Sequence, residues 1–135
     1  MIKILDELQL PKGEWVVFGG ACLTAHDIRD TSDLELFVTP RLFKQLKEQG
    51  WEERITNSTD ALYVTKIYHE VPILAFIQCG SHKWVPNVAS YLADPVVIDG
   101  HPFMSLHEMY EWKKATARPK DKVDVRLIEE HMKRG

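Results

Sequence analysis

Trp15-Val16-Val17-Phe18-Gly19-Gly20-Ala21-Cys22-Leu23, followed by Arg29-Asp30-Thr31-Ser32-Asp33-Leu34-Glu35-Leu36-Phe37-Val38, is the most informative part of this chain. It reads as an apolar strand, a glycine turn, a short helix, and a second strand carrying alternating carboxylates. Along a strand, side chains i and i+2 share a face. Asp33 and Glu35 therefore project together, while Leu34 and Leu36 face the other way. Two carboxylates on one face repel, and each loses hydration. A hard cation that takes oxygen ligands, such as magnesium, would relieve both costs. Gly19 and Gly20 open a place where backbone can approach a phosphate closely.

On either side of this core the pattern alternates between helix and strand. Apolar residues at 2, 5, 8 and 10 predict a short helix over 2–10, ended by Pro11-Lys12-Gly13. Strands are predicted over 14–18 and 33–38, with a helix over 21–26 between them. Thr39-Pro40 reads as an N-cap and first helical position, opening a helix that Gly50 stops. Asn57-Ser58-Thr59-Asp60 is turn chemistry. Residues 61–69 and 71–77 read as a hairpin, 79–82 as a loop and 85–92 as a short helix. Two very short strands surround Asp99-Gly100, within 96–103. Ser105, with Glu108 three positions on, is a capping box for a further helix. Arg118-Pro119 interrupts it, and a last helix is predicted over 120–132. The chain is therefore α/β or α+β, a small mixed sheet flanked by helices.

Composition narrows the function classes. The 135 residues suit one domain, 1–135, with a sizeable core. A net charge of −3 gives no reason to expect tight, nonspecific nucleic-acid binding. Lys113, Lys114, Arg118, Lys120 and Lys122 nevertheless form a local basic cluster. No apolar run has membrane-spanning length, and no signal peptide opens the chain, so no membrane partner and a cytoplasmic location are expected. Cys22 and Cys79 lack paired metal spacing and read as reduced thiols. Cys79-x2-His82 is half a zinc site without a second half. The tryptophans Trp15, Trp51, Trp84 and Trp112 read as core or half-buried anchors.

The pattern resembles the nucleotidyltransferase superfamily, whose signature is Gly-Gly or Gly-Ser, a short helix, then Asp-x-Asp or Asp-x-Glu on the next strand. It is closer to small bacterial members, with Gly-Gly-x-Ala-Leu, Arg-x-Thr-x-Asp-(Ile/Leu)-Asp-Leu and a late Lys-x4-Arg-x-Lys-Asp-x2-Asp. The late block here is Lys113-Lys114-Ala115-Thr116-Ala117-Arg118-Pro119-Lys120-Asp121-Lys122-Val123-Asp124. The resemblance covers about residues 14 to 130 and implies a nucleotidyltransferase-like fold. It makes Asp33 and Glu35 the catalytic and metal-binding carboxylates, for magnesium or manganese. It assigns Gly19, Gly20, Arg29, Thr31, Lys113 and Arg118 to the nucleotide. The substrate would be a nucleoside triphosphate, and the acceptor a hydroxyl of a small molecule, an RNA or a protein.

Each assignment has a plainer counterpart. The glycines equally suit a tight strand-to-helix turn, and Arg29 equally suits bracing of the loop. His26 follows the glycine helix and could line the site. Asp27 stands where small members often have glycine, which predicts a loop of different shape. Asp121 and Asp124 read as structural acids of a first helical turn. The superfamily commonly places a third carboxylate in an apolar strand, but Val71-Pro72-Ile73-Leu74-Ala75-Phe76-Ile77 contains none. Glu70, just before it, is a doubtful substitute. Two readings follow. One is an enzyme that transfers a nucleoside monophosphate with an incomplete carboxylate set. The other is a catalytically degenerate member, a nucleotide-binding or protein-interaction module of the toxin–antitoxin kind.

Overall fold

The computed structural model describes residues 2–56, 60–80 and 83–134. The chain runs through α1 (Ile4–Leu8), β1 (Trp15–Phe18), α2 (Gly20–Ala25), β2 (Leu34–Val38), α3 (Pro40–Glu48), β3 (Glu52–Ile55), β4 (Leu62–Tyr68), β5 (Val71–Phe76), α4 (Val88–Ala93), β6 (Val96–Ile98), β7 (His101–Phe103), α5 (Leu106–Thr116) and α6 (Pro119–Arg134). Among the described residues seven strands form one mixed sheet in the order β3-β4-β5-β2-β1-β7-β6. β1 and β2 pair antiparallel, whereas β2–β5 and β1–β7 are parallel.

The strands nearest the centre carry the core. Every residue of β1 is buried, as are Leu34, Leu36, Phe37 and Val38 of β2. Strands this apolar fit only between covering layers. On one face, Trp112 of α5 stacks on Phe18 and Phe37, and Tyr91 of α4 approaches Phe37. α3 begins as its sequence predicts: the Thr39 hydroxyl accepts from Leu42 N–H at 3.2 Å, and Pro40 follows. At α5 the Ser105 hydroxyl likewise accepts from Glu108 N–H at 3.1 Å.

Register places the site. Across the sheet, Phe18 lies beside Glu35, Glu35 beside Leu74, and Leu74 beside Thr65. These four residues form one row on one face. The next row is Val16, Phe37, Phe76 and Tyr63. Glu35 therefore sits at the edge of an aromatic floor, beside a leucine.

Two differences from the sequence reading concern the sheet margin. β3 has no counterpart in that reading, because Glu52-Glu53-Arg54-Ile55 shows no apolar alternation. All four residues are exposed on an edge strand, where charge discourages pairing with other chains. The last helix also starts earlier than expected, at Pro119, an ordinary first helical position. The predicted turn at 57–60 falls outside the described residues except for Asp60, and the predicted loop at 79–82 except for Cys79 and Gly80. Among the described residues no helix is long and apolar enough to cross a membrane.

The β4–β5 hairpin turns on His69 and Glu70, with φ of 48° and 68°, between the paired residues Tyr68 and Val71. Two central residues with positive φ define a type I′ turn, which Asn-Gly suits best. Replacing His69-Glu70 with Asn-Gly is expected to raise stability by about 1 kcal/mol in urea denaturation. The exposed His69–Glu7 contact at 2.8 Å contributes little against this. A loss of stability in the double variant would show that this contact outweighs the turn.

Candidate active site

Residues that lie far apart in sequence line one cleft of about 590 Å³. Gly19, Gly20, Arg29, Thr31, Asp33, Glu35, Lys113 and Arg118 all border it. The first six come from the β1–α2–β2 segment, and the last two from α5 and the α5–α6 junction.

The glycine turn is shaped by what rests on it. Gly19 has φ 75° and ψ −151°, a conformation essentially restricted to glycine. A Cβ there would stand 2.7 Å from Glu35 Oε1, closer than atoms tolerate. A Cβ on Gly20 would meet Thr31 Oγ1 at 2.6 Å. Glu35 and Thr31 thus lie directly over the turn, and the missing side chains are what admit them. Asp27, in the following loop, has φ 59°. Its backbone takes the left-handed conformation that favours glycine, which Asp tolerates better than most residues.

Asp33 lies immediately before β2 and Glu35 within it, both on the cleft wall. Burial, and then the charge of Asp33, push the Glu35 carboxyl up from 4.5 to about 7. Lys113, Lys120 and Arg118 act in the opposite direction. On the neighbouring parallel strand, Leu74 occupies the place beside Glu35. The described residues of β5 carry no carboxylate on this face.

The late block supplies a compact ion network. Arg29 forks onto Asp124, with Nε donating to Oδ1 at 2.7 Å and Nη2 to Oδ2 at 2.9 Å. Its Nη1 donates to the Asp30 carbonyl at 2.9 Å. Lys113 Nζ lies 2.8 Å from Asp124 Oδ2 and 3.6 Å from Asp121 Oδ1. Asp121 further accepts from Arg118 Nε at 2.7 Å and from the Thr116 hydroxyl at 2.7 Å. Asp121 is fully buried and Asp124 is 4% exposed. Burial alone would raise both carboxyls. Arg118 and Thr116 outweigh it at Asp121, which is held at about 2, and Arg29 and Lys113 outweigh it at Asp124. The cations that the motifs point to are therefore each paired with a carboxylate of α6. Lys114 turns away, with its ammonium 5.0 Å from the centre of the exposed-side Tyr110 ring. Adjacent helix positions are about 100° apart, so the two lysines part company.

Several cleft residues had no motif to announce them. Thr116 anchors Asp121, Met109 lines the wall, and Trp112 borders the cleft while packing on the core. The signal that would have found Trp112 is the spacing 109, 112, 113, 116, one face of a helix. His26 does not border the cleft; its ring meets that of His131 at 5.8 Å. Cys79 does border it, but burial, then Glu35, push its thiol up to about 12. Buried Cys22 likewise rises to about 12. Neither is a thiolate nucleophile at neutral pH.

Among the described residues no group of three or more His, Cys, Asp and Glu is arranged to hold a metal. Magnesium is often held by one or two carboxylates completed by substrate phosphates and water. Asp33 and Glu35 fit that smaller role, since the charge of Asp33 raises the cost of ionising Glu35.

Of the comparisons with known proteins, that with solved structures matches this architecture. No protein-family model matches the sequence, and no curated protein matches it. The crystal structure of a protein from Thermotoga maritima, described as a "putative nucleotidyltransferase", superposes with a TM-score of 0.65. It shares 14% identity over 93% of this chain and 87% of the other. At that identity the likeness concerns the fold, which is nucleotidyltransferase-like: a mixed sheet with flanking helices.

Proposed function

We propose that residues 1–135 form one nucleotidyltransferase-like domain. It binds a nucleoside triphosphate with magnesium or manganese in this cleft and transfers the nucleoside monophosphate slowly to a hydroxyl acceptor, in a cytoplasmic setting. The observation that carries the reading is the convergence of Asp33 and Glu35 with Lys113 and Arg118 around one glycine-turn cleft. Asp33 and Glu35 would hold the ion. Once bound, it would neutralise phosphate charge and help to orient the attack. Gly19 and Gly20 keep the wall thin, and Arg29 and Lys113 are fixed by Asp124 with donors still free for phosphate oxygens. In the transfer, the acceptor oxygen bonds to the α-phosphorus, pyrophosphate leaves, and the hydroxyl proton passes to a base. No carboxylate stands at position 74 to receive it.

That leucine favours a second reading, a member that binds nucleotide, or a protein partner, without turnover. Two measurements separate the readings. Thermal shifts with magnesium and each ribonucleoside triphosphate should show stabilisation of about 2.7 kcal/mol at 100 times the dissociation constant. Pyrophosphate release should be slower than about 1 s⁻¹ in the wild type, below the usual enzyme range. It should rise by about 10² or more in Leu74→Asp, the general-base range. Fast wild-type turnover that Leu74→Asp leaves unchanged would mean the acid comes from elsewhere. No metal-dependent triphosphate binding would remove both nucleotide readings.

A further inference from the structure

The cleft has two chemically different ends, and α5 runs along both. Met109, Trp112, Lys113 and Thr116 present one face of that helix to it. From 109 to 116 is about 10 Å along the helix axis. The first two residues are apolar, and the last two carry an ammonium and a hydroxyl. At the polar end the Lys113 charge acts on Glu35, which follows Asp33 on the cleft wall; at the apolar end Trp112 lies 5.7 Å from Phe18, and Phe18 lies 5.8 Å from Phe76. A ligand that fills this cleft carries a polyanion at one end and something flat and apolar at the other.

The Trp112 ring is held as a shelf. It lies 14° from parallel with Phe18 at 5.7 Å and 16° from parallel with Phe37 at 6.2 Å. Phe18 and Phe37 stack on each other at 3.9 Å. Both phenylalanines are buried in the sheet, at 3% and 0% exposure, while Trp112 remains half-buried and borders the cleft. Its orientation is thus set before any ligand arrives, which spares the ligand an ordering cost.

We infer that this apolar end, with the Trp112 ring as its platform, receives the nucleobase. The inference rests on reading the cleft as a triphosphate site, and it adds where affinity for the nucleoside arises. Every nucleobase has a π-face, so stacking recognises the class and tolerates the sequence. Phe18, Phe76, Met109 and Trp112 carry no carboxylate or amide to read the edge of a base.

The experiment is calorimetry on the full chain with magnesium, comparing ATP with inorganic tripolyphosphate. ATP should bind about 10- to 100-fold more tightly, the range of one stacked base. Trp112→Ala should erase that difference and leave tripolyphosphate affinity unchanged, and Trp112→Phe should restore ATP binding to within about 3-fold. Because Trp112→Ala also removes core packing, tryptophan fluorescence gives a second measurement. Magnesium–ATP should quench the wild type saturably, tripolyphosphate should not, and the quench should vanish in Trp112→Phe while binding persists. Equal affinity for ATP and tripolyphosphate overturns the inference and leaves the phosphate site standing. Binding of neither overturns both.

Discussion

Replacing Glu35 with Gln should stabilise the metal-free protein by about 3 kcal/mol at pH 8 and leave it unchanged at pH 4. The folded carboxyl is pushed up to about 7 from an ordinary 4.5. Below 4.5 the group is protonated in both folded and unfolded chains, so it contributes no difference. As pH rises from 4.5 to 7 the unfolded chain ionises freely while the folded carboxyl keeps its proton, and above 7 the fold must place charge beside Asp33 in a partly dry wall. At 1.36 kcal/mol per pH unit this costs the native state about 3 kcal/mol. Glutamine titrates nowhere and escapes the cost, so the two stability curves should diverge across that window and run parallel above it. In a chain of this size the gap corresponds to roughly 10 °C in Tm. Added magnesium should narrow it, since the ion favours the ionised wild-type site and gains nothing from an amide. Parallel curves from pH 4 to 8 would show that Glu35 is hydrated in solution and that the pair stores no charge repulsion.

The opposite sign is expected on α6. Asp124→Ala should cost about 3–5 kcal/mol in urea denaturation, because it strands Lys113, whose side chain is 11% exposed, and unties Arg29. Breaking one side of a buried pair is costly mainly through the charge left behind. Lys114→Ala, adjacent in sequence but about 100° around the helix, should cost less than about 1 kcal/mol, as an exposed cation–π contact does. A double-mutant cycle of Arg29 and Asp124 should return a coupling of about 1–3 kcal/mol. The network should also weaken under acid, as Asp124 and Asp121 protonate below the ordinary carboxylate range, the latter at about 2. Equal effects of the Asp124 and Lys114 variants would reduce the network to a solvated charged surface. The two sets of carboxylates thus differ in kind. Asp121 and Asp124 are satisfied by cations and hold the fold, whereas Glu35 carries charge beside Asp33 only at a cost.

Much of this architecture was legible in the chain. Thr39-Pro40, Ser105 with Glu108, and Asp99-Gly100 announced their caps and turn through local hydrogen bonding and backbone preference, which need no tertiary context. The alternation from Asp33 to Phe37 told which side chains share a face, because strand geometry allows no other outcome. β3 was illegible for the same reason in reverse: a charged edge strand has no buried face to leave a pattern.

Other features were decided only when distant segments met. Arg29 could orient a phosphate or brace a loop, and its pairing with Asp124, 95 positions away in sequence, is a fact of α6 packing. Whether a glycine pair serves a ligand or a neighbour depends on what rests upon it, and here Glu35 and Thr31 rest there. The sequence shows that the run over 71–77 holds no acid, but only the parallel register of β2 and β5 put Leu74 beside Glu35. The raised carboxyl of Glu35 follows from burial and proximity, neither of which is a property of residue order. Local chemistry is written along the chain; the electrostatics of a site arise from desolvation and distance, and these exist only in the folded molecule.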